Sequence, residues 1–372
     1  MSIRFIHMAD THLGAGGFGN KLSKNGINQR EEDICEAFRR AVDKTIELRP
    51  DFLIHAGDLF HMVRPTNRII NLAIKEILRL TYAGIPVVII SGNHDAPKQR
   101  AVGHVLSIFE NLDNVFPVYR SKYEVVKLRD IYIGCLPHCL TPEILQEQFE
   151  HVHPELPGLN ILVAHGVAAG IEKFSMAEIS EEEIPSSVLG SGFDYVALGH
   201  YHKYTRVQED IFYSGSTERL SFGELGEQKG ILEVEIPGPT TTFHQIEVRD
   251  MIELETIDAR GMDYEQLEQI ILNALDSEDL TEKIVRLKIT NLTEALYNNL
   301  PVRDIKSKTS GAFFFKLIAE REEAQAVHLE ESMKFGRLLD EFKAYLGNRP
   351  IPNLDRERLL VIAEKYFSDL DE

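Results

Sequence analysis

Five short motifs gather the side chains of this sequence that are able to do chemistry: Asp10-Thr11-His12, Gly57-Asp58, Gly92-Asn93-His94-Asp95, His165-Gly166 and Gly199-His200-Tyr201-His202. Each follows a run that reads as a strand. Taken singly, Asp10 reads as a helix cap, Asn93 as a turn residue and His165 as a hydrogen-bonded core histidine. Together Asp10, His12, Asp58, Asn93, His165, His200 and His202 supply carboxylate, amide and imidazole ligands at strand ends, which predicts one shared metal centre. Imidazole with carboxylate and amide oxygen selects Mn, Fe or Zn over Ca or Mg, and the lack of cysteine ligands disfavours a structural zinc. The set suits two divalent ions sharing one carboxylate. Such ions, roughly 3.5–4 Å apart, activate water and hold both oxygens of an in-line displacement at phosphorus. Phosphoester hydrolysis is the chemistry expected. Gly57, Gly92, Gly166 and Gly199 predict tight turns that leave space for a phosphate.

Positioning these side chains requires parallel strands that all end on one edge. Residues 1–120 alternate β-branched runs with helical patterns, as stacked βαβ units do. Strands are expected at Ile3–Ala9, Asp51–Gly57 and Ile85–Gly92, and helices at Glu31–Leu48, Thr66–Tyr82 and Pro97–Asn111. The later runs Ile131–Leu136, Asn160–His165, Asp194–Leu198, Ile211–Ser214, Ile231–Ile236 and Thr241–Val248 predict a second sheet packed on the first. Beyond Pro237–Pro239 the pattern becomes strand, helix (Tyr264–Leu275), strand (Lys283–Thr290), helix (Leu292–Leu300) and strand (Ala312–Ile318), enough for a small α/β unit. Two amphipathic helical patterns, Glu322–Leu346 and Leu354–Leu370, flank the breaker Gly347–Asn353.

With 372 residues, more than one core is expected, and boundaries are placed to give units 1–249, 250–320 and 321–372. The 40 Lys+Arg against 59 Asp+Glu leave a net charge of −19, which excludes a nucleic-acid binder working through a whole-surface positive field. Contact with nucleic acid is therefore expected to be local or metal-mediated. Three cysteines, no long apolar run and no basic-apolar-cleavage pattern at the start predict a cytoplasmic chain without a membrane span.

The five motifs, in this order, resemble the calcineurin-like metallophosphoesterase superfamily over about residues 1–235. The resemblance implies an α/β fold, a two-sheet sandwich flanked by helices. It implies one ion held by Asp10, His12, Asp58 and His202 and another by Asp58, Asn93, His165 and His200, with His94 left free to act on the leaving oxygen or the phosphate. Within the superfamily, ADTHLG followed by an insertion and Gln29-Arg30-Glu31-Glu32-Asp33, then GDLFH with Pro65 beyond, is similar to the DNA double-strand-break repair nucleases, the SbcD and meiotic-recombination-eleven family. That similarity implies a Mn-dependent exonuclease and endonuclease in which His61 also assists catalysis. It further implies a capping domain after residue 249 and a C-terminal helical segment that binds an SbcC-type SMC-like ATPase. A nucleotide or cyclic-nucleotide phosphodiesterase of the same superfamily is the competing expectation.

Cations near the motifs are the candidate DNA contacts: Lys21, Lys24 and Arg30 in or beside the first insertion, Arg64 and Arg68 after GDLFH, and Lys98 and Arg100 after GNHD. The acidic residues Glu178 and Glu181–Glu183 read as solvated surface. Thr66–Tyr82 carries more apolar residues than one buried stripe needs, which predicts a homodimer or a helix wedged under Val105–Phe109.

Overall fold

In a computed structural model that describes residues 2–19, 21–97, 103–155, 157–169, 183–322, 358–360 and 363, the chain begins with strand β1 (Ile3–Met8). β2 (Phe52–His55), β3 (Val87–Ile90) and β4 (Val115–Val118) follow beside it in parallel. The sequences FLIH and VVII are buried on both faces, as the interior strands of a covered parallel sheet must be.

Helix α1 (Gln29–Leu48) starts where the Asn28 side chain accepts from the N–H groups of Arg30 and Glu31, and ends at Arg49 in the left-handed region. It buries Ile34, Phe38, Ala41 and Thr45 at helical spacing. Helix α2 (Asn67–Tyr82), capped by Thr66, buries Ile69, Ala73, Ile77 and Leu80. Both pack on one face of the sheet, in a core that also takes Val105, Leu106 and Phe109 and half-covers Ile70, Leu72 and Ile74.

The sequence predicts one helix over Pro97–Asn111. Its described part is a 3₁₀ helix, Val105–Asn111, capped by His104, because Gly103 sits at φ 74° and breaks any α-helix running into it.

A second sheet follows, built from β5 (Glu124–Leu128), β6 (Ile131–Leu136) and β7 (Leu159–His165), with α3 (Pro142–Phe149) between the last two. β8 (Val167–Ala168) and β9 (Glu183–Ile184) pair by themselves, and α4 (Ser186–Leu189) leads to β10 (Tyr195–Gly199), β11 (Thr205–Arg206) and β12 (Ile211–Tyr213). The order is β11-β12-β10-β7-β6-β5, with β6, β7, β10 and β12 parallel.

The two strands after these do not join that sheet as the sequence suggests. β13 (Gly230–Ile236) and β14 (Thr240–Gln245) return to the first sheet, β13 lying antiparallel to β1. Alternation marks a half-buried strand but not the sheet it belongs to; Leu232, Val234 and Ile236 serve the inter-sheet core from β13, between β14 and β1 in the first sheet.

Between the sheets, Phe5 stacks on Phe52 at 5.0 Å and meets Tyr195 edge-on at 5.3 Å. Phe5 faces this interior while Ile6 faces the helices, the period-two consequence of a strand covered on both sides. The layers run helix, sheet, sheet, helix.

After residue 249 a third sheet has a core of its own around Leu267, Ile271, Leu287 and Ile289. In it β15 (Met251–Glu253), β16 (Ile257–Asp258) and β18 (Phe314–Arg321) all run parallel to β17 (Ile284–Leu292). Helix α5 (Tyr264–Asp276) opens on a capping box from Asp263 and Gln266. The helix expected over Leu292–Leu300 is the short α6 (Glu294–Asn298), and a further helix that the sequence reading did not place, α7 (Val302–Lys308), follows Pro301. The C-terminal helical patterns lie outside the described residues apart from Arg358–Leu360, which are helical, and Ala363, which is buried. No described helix is long and apolar enough to cross a membrane.

Candidate metal centre

Parallel strands carry their C-terminal ends to one edge, and each of the five motifs begins there. Asp10 and His12 follow β1, Asp58 follows β2, Asn93 and His94 follow β3, His165 ends β7, and His200 and His202 follow β10. The sheets are tied at this edge. His165 Nδ1–H donates to the carbonyl of Ala56 at 2.9 Å, and the N–H of His200 donates to both carboxylate oxygens of Asp10 at 3.0 Å.

The chain is held under tension here. Asp10, His12, Asp58 and His200 have φ of 51°, 45°, 55° and 99°, a region that costs a non-glycine residue about 1–3 kcal/mol. Tight approach fixes two glycines. A Cβ on Gly92 would lie 2.1 Å from Asp58 Oδ1, and one on Gly57 would lie 2.2 Å from His165 Nδ1. The space expected beside a phosphate is thus taken by protein atoms at these two positions.

Side chains converge in two groups around Asp58. His12 Nε2 lies 3.0 Å from His202 Nε2 and 3.6 Å from Asp58 Oδ2. His165 Nε2 lies 3.5 Å from Asp58 Oδ2 and 3.1 Å from Asn93 Oδ1, which is 3.3 Å from His200 Nδ1. With Nδ1–H donating to Ala56, the Nε2 of His165 faces two acceptor oxygens, Asp58 Oδ2 and Asn93 Oδ1, so it carries a proton there or yields that place to a metal ion. Two sets of three atoms within 4.8 Å of one another, Asp10-His12-His202 and Asp10-Asp58-His165, are spaced to take a metal ion.

The titration behaviour expresses the same demand. Burial opposes charge on Asp58, yet His165 and His12 outweigh it and hold its carboxyl well below the usual range. Burial likewise opposes a proton on His165, but Asp58 overrides it and pushes the imidazole up to about 10. Burial lowers His12, and it lowers His200 to about 3, so both offer neutral imidazole. Without a metal ion the centre satisfies its carboxylates with a proton; a divalent cation replaces it.

Beside these groups stand His61 and His94, their rings stacked at 5.0 Å. His94 is exposed, its ring 4.7 Å from that of His12, and its Nδ1 is 3.1 Å from the carbonyl of His61. His12, His61 and His94 also come within 4.8 Å of one another.

Around the centre are residues that the sequence reading did not single out. Asp95 is buried and accepts from the N–H groups of Leu59 and Gly92, clamping the loops of Asp58 and Asn93 together. Glu224 accepts from His202 Nδ1–H at 3.2 Å. Glu224 sits in Ser221-Phe222-Gly223-Glu224, which carries no recognisable pattern, whereas Asp95 is the last residue of a motif already in view.

The candidate DNA contacts that the structure describes have different surroundings. Arg30 is buried, bound to Glu218 at 3.0 Å and to the carbonyl of Arg219, so it is a structural cation and not a surface one. It stands in the first turn of α1, on the side facing the loop after β12, and a charge after an insertion says nothing about that orientation. Lys21 pairs with Glu282 at 2.9 Å, and Arg68 pairs with Glu31. Lys24 and Arg64 are exposed. Lys98 and Arg100, like Glu178, Glu181 and Glu182, lie outside the described residues.

A sandwich of two mixed sheets that gathers histidine, aspartate and asparagine from five strand ends defines a metallophosphoesterase. The chain belongs to the calcineurin-like phosphoesterase family, whose model matches residues 3–204. It is similar to proteins named "DNA double-strand break repair protein Mre11". With that of Methanococcus maripaludis it is 30% identical over 237 residues, 61% of this chain and 60% of the relative. With that of Sulfurisphaera tokodaii it is 29% identical over 256 residues, 66% of this chain and 62% of the relative. These two alignments span less than two thirds of the relatives. With that of Thermoplasma acidophilum it is 27% identical over 383 aligned positions, 98% of this chain and 95% of the relative.

Proposed function

We propose that this chain is a two-metal DNA nuclease, cutting ends and internal sites in double-strand-break repair. The observation that carries the reading is the pair of acceptor-rich groups sharing Asp58, with the exposed His94 at their rim. Asp10, His12, Asp58 and His202 hold one ion in this reading, and Asp58, Asn93, His165 and His200 the other. Two bound divalent ions supply Lewis acidity at phosphorus and lower the pKa of water. His94 donates a proton to the departing oxygen or binds the phosphate, and His61, stacked on it, keeps that ring in place. Manganese suits the imidazole-carboxylate donor set. DNA as the substrate is supported by the repair role that the relatives' names carry.

Two partners belong to the same reading. A second copy of the chain pairs through α2, presenting two sites to two DNA ends. An SbcC-type SMC-like ATPase binds residues 321–372, whose apolar faces suit a coiled-coil groove. Units 1–249 and 250–320 then act as nuclease and capping domains in a cytoplasmic enzyme.

The test is cleavage of blunt and nicked duplex DNA in Mn, beside bis-p-nitrophenyl phosphate and cyclic AMP. DNA cleavage abolished by chelator is expected. Turnover of cyclic AMP with no action on DNA would replace this reading with the small-molecule phosphodiesterase. Deleting 350–372 is expected to abolish co-purification with the ATPase while leaving Mn-dependent single-strand cleavage, and undiminished co-purification would overturn that partner site.

A further inference from the structure

His202 is the candidate ligand whose far nitrogen meets a carboxylate. Glu224 Oε1 accepts from His202 Nδ1–H, which leaves Nε2 as a lone pair directed at His12 and the metal centre. A carboxylate in this place fixes the imidazole tautomer, orients the ring and raises its basicity toward a metal. Glu224 is itself held. Its Oε2 lies 2.5 Å from the ammonium of Lys229, whose side chain is fully buried, and its Oε1 accepts from the N–H of Leu220 at 3.1 Å. Lys229 also donates to the carbonyl of His202 at 2.8 Å, so one cation grips both partners of the pair.

The segment bearing Glu224 does not rest on the nuclease sandwich alone. It is the short 3₁₀ turn Phe222–Glu224. The Phe222 ring lies 4.6 Å beneath the guanidinium of Arg286 on β17, and 5.4 Å from Phe18 of the loop after β1. Phe18 in turn meets Phe314 of β18 at 5.6 Å. The apolar cluster here joins Phe222 to Met251, Ile284 and Phe313 of the third sheet's unit.

We propose that Glu224 is a positioning residue for His202, and that the unit formed by residues 250–322 braces it through Phe222 and Arg286, so that docking of this unit sets the affinity of the ion that His202 holds. The inference rests on the two-metal reading and adds the route by which the third sheet reaches the centre without touching it.

The test is titration of the full chain with Mn by calorimetry, and with Co(II) by its visible absorption. Wild type is expected to bind two ions. Glu224→Gln keeps size and a hydrogen-bond acceptor but loses the charge, and is expected to weaken one ion roughly 10–100-fold while leaving the second unchanged. Arg286→Met, which touches no ligand, is expected to weaken the same ion by a smaller factor and to shift the Co(II) spectrum of that site only. Phe222→Leu repeats the second arm with little loss of volume. Equal affinities for both ions in Glu224→Gln and wild type would overturn the positioning role. A weakened Glu224→Gln beside unchanged Arg286→Met and Phe222→Leu would overturn the bracing. Failure of wild type to bind any ion would overturn the metal reading itself, a different outcome from either.

Discussion

The backbone N–H of His94 donates to Oδ1 of Asp58 at 2.9 Å, across the gap between the loops that follow β3 and β2. The carboxylate that the two-metal reading shares between both ions is thereby fixed to the residue it assigns to proton transfer. Gly92 permits that approach, and Asp95 locks it by accepting from the N–H groups of Leu59 and Gly92 at 3.1 and 3.0 Å. Ligand and proton donor form one rigid piece, so their roles must be separated by measurements that read metal and rate independently.

Asp58 lies between both groups of acceptors, whereas Asn93 lies in one. Asp58→Asn is therefore expected to lose both ions, and Asn93→Ala only one. Metal content per chain, by mass spectrometry of the intact protein in excess Mn, checks this. A wild-type chain fully active with fewer than one ion would sink the two-metal assignment.

His94 is exposed and stands beside the acceptors, with Nδ1 turned to the His61 carbonyl. His94→Asn is expected to keep both ions and lose roughly 10²–10⁴ in rate, the size of a general-acid contribution. Because His12, His61 and His94 are also close enough to hold an ion, metal content decides the role. Loss of an ion from His94→Asn would make His94 a ligand.

Three histidines that are not among the candidate ligands make folding sensitive to acid. Burial lowers His7 and His55 to about 3 and His104 to about 4. The unfolded chain takes up these protons near pH 6.5, and the folded chain takes them up only below pH 4 or so. Stability from these groups is complete above about pH 6.5. It falls as pH drops toward the folded values, by about 1.4 kcal/mol per pH unit per group. His104 caps the 3₁₀ helix by accepting from the N–H of Leu106, a task that asparagine also performs. His104→Asn is expected to lose less stability than wild type between pH 7 and 5, in denaturant titrations with chelator present. Parallel losses in the two proteins would show that His104 does not titrate as described.

Much of this arrangement is legible in the sequence, for identifiable reasons. FLIH and VVII announce buried strands, and the ligand-type residues stand directly after them, so β-strand geometry alone carries Asp10, Asp58 and Asn93 to one edge. What is not legible depends on contacts across long separations. Arg30 looks like a surface cation until Glu218, 188 positions on, meets it in the interior. Glu224 has no motif, since a residue that supports a histidine from behind can come from any loop that passes there. The glycine at 92 reads as room for a ligand, when its absent Cβ is room for Asp58. The break before Val105 depends on Gly103 taking φ 74°, a conformation that its place in the sequence does not announce.

Association through α2 is expected to respond to a single charge. Ile69, Ala73, Ile77 and Leu80 are buried by the sheet and by the 105–111 turn, which accounts for one stripe of the helix. Leu78 is half-buried on the flank and Tyr82 is 82% exposed. Leu78→Glu places a charge there at little expense to the core. Light scattering at micromolar concentration is expected to give a dimer for wild type and a monomer for the variant. A wild-type monomer would end the proposal.

Gly92→Ala adds one methyl group and tests the geometry of the whole edge. The new Cβ would fall 2.1 Å from Asp58 Oδ1 and 2.6 Å from the Asp58 backbone nitrogen, distances no real contact reaches. The backbone nitrogen cannot move aside, because Asp58 sits at φ 55° and the Asp10 and His12 N–H groups hold this turn through the carbonyls of Gly57 and Asp58. Either β3's loop shifts outward or Asp58 leaves its place, and both separate Asp58 from the N–H of His94. Gly92 lies at the end of a buried strand and not inside the hydrophobic core, so the strain is expected to stay local and the fold to survive with a loss of about 1–3 kcal/mol. The variant is expected to be folded by circular dichroism, to bind Mn far more weakly and to hydrolyse no phosphodiester. Gly84, at φ 80° with open space around its Cβ position, provides the control: Gly84→Ala strains the backbone but leaves metal binding unchanged. A Gly92→Ala protein that binds two ions as tightly as wild type would show that the contact between Gly92 and Asp58 does not set the centre.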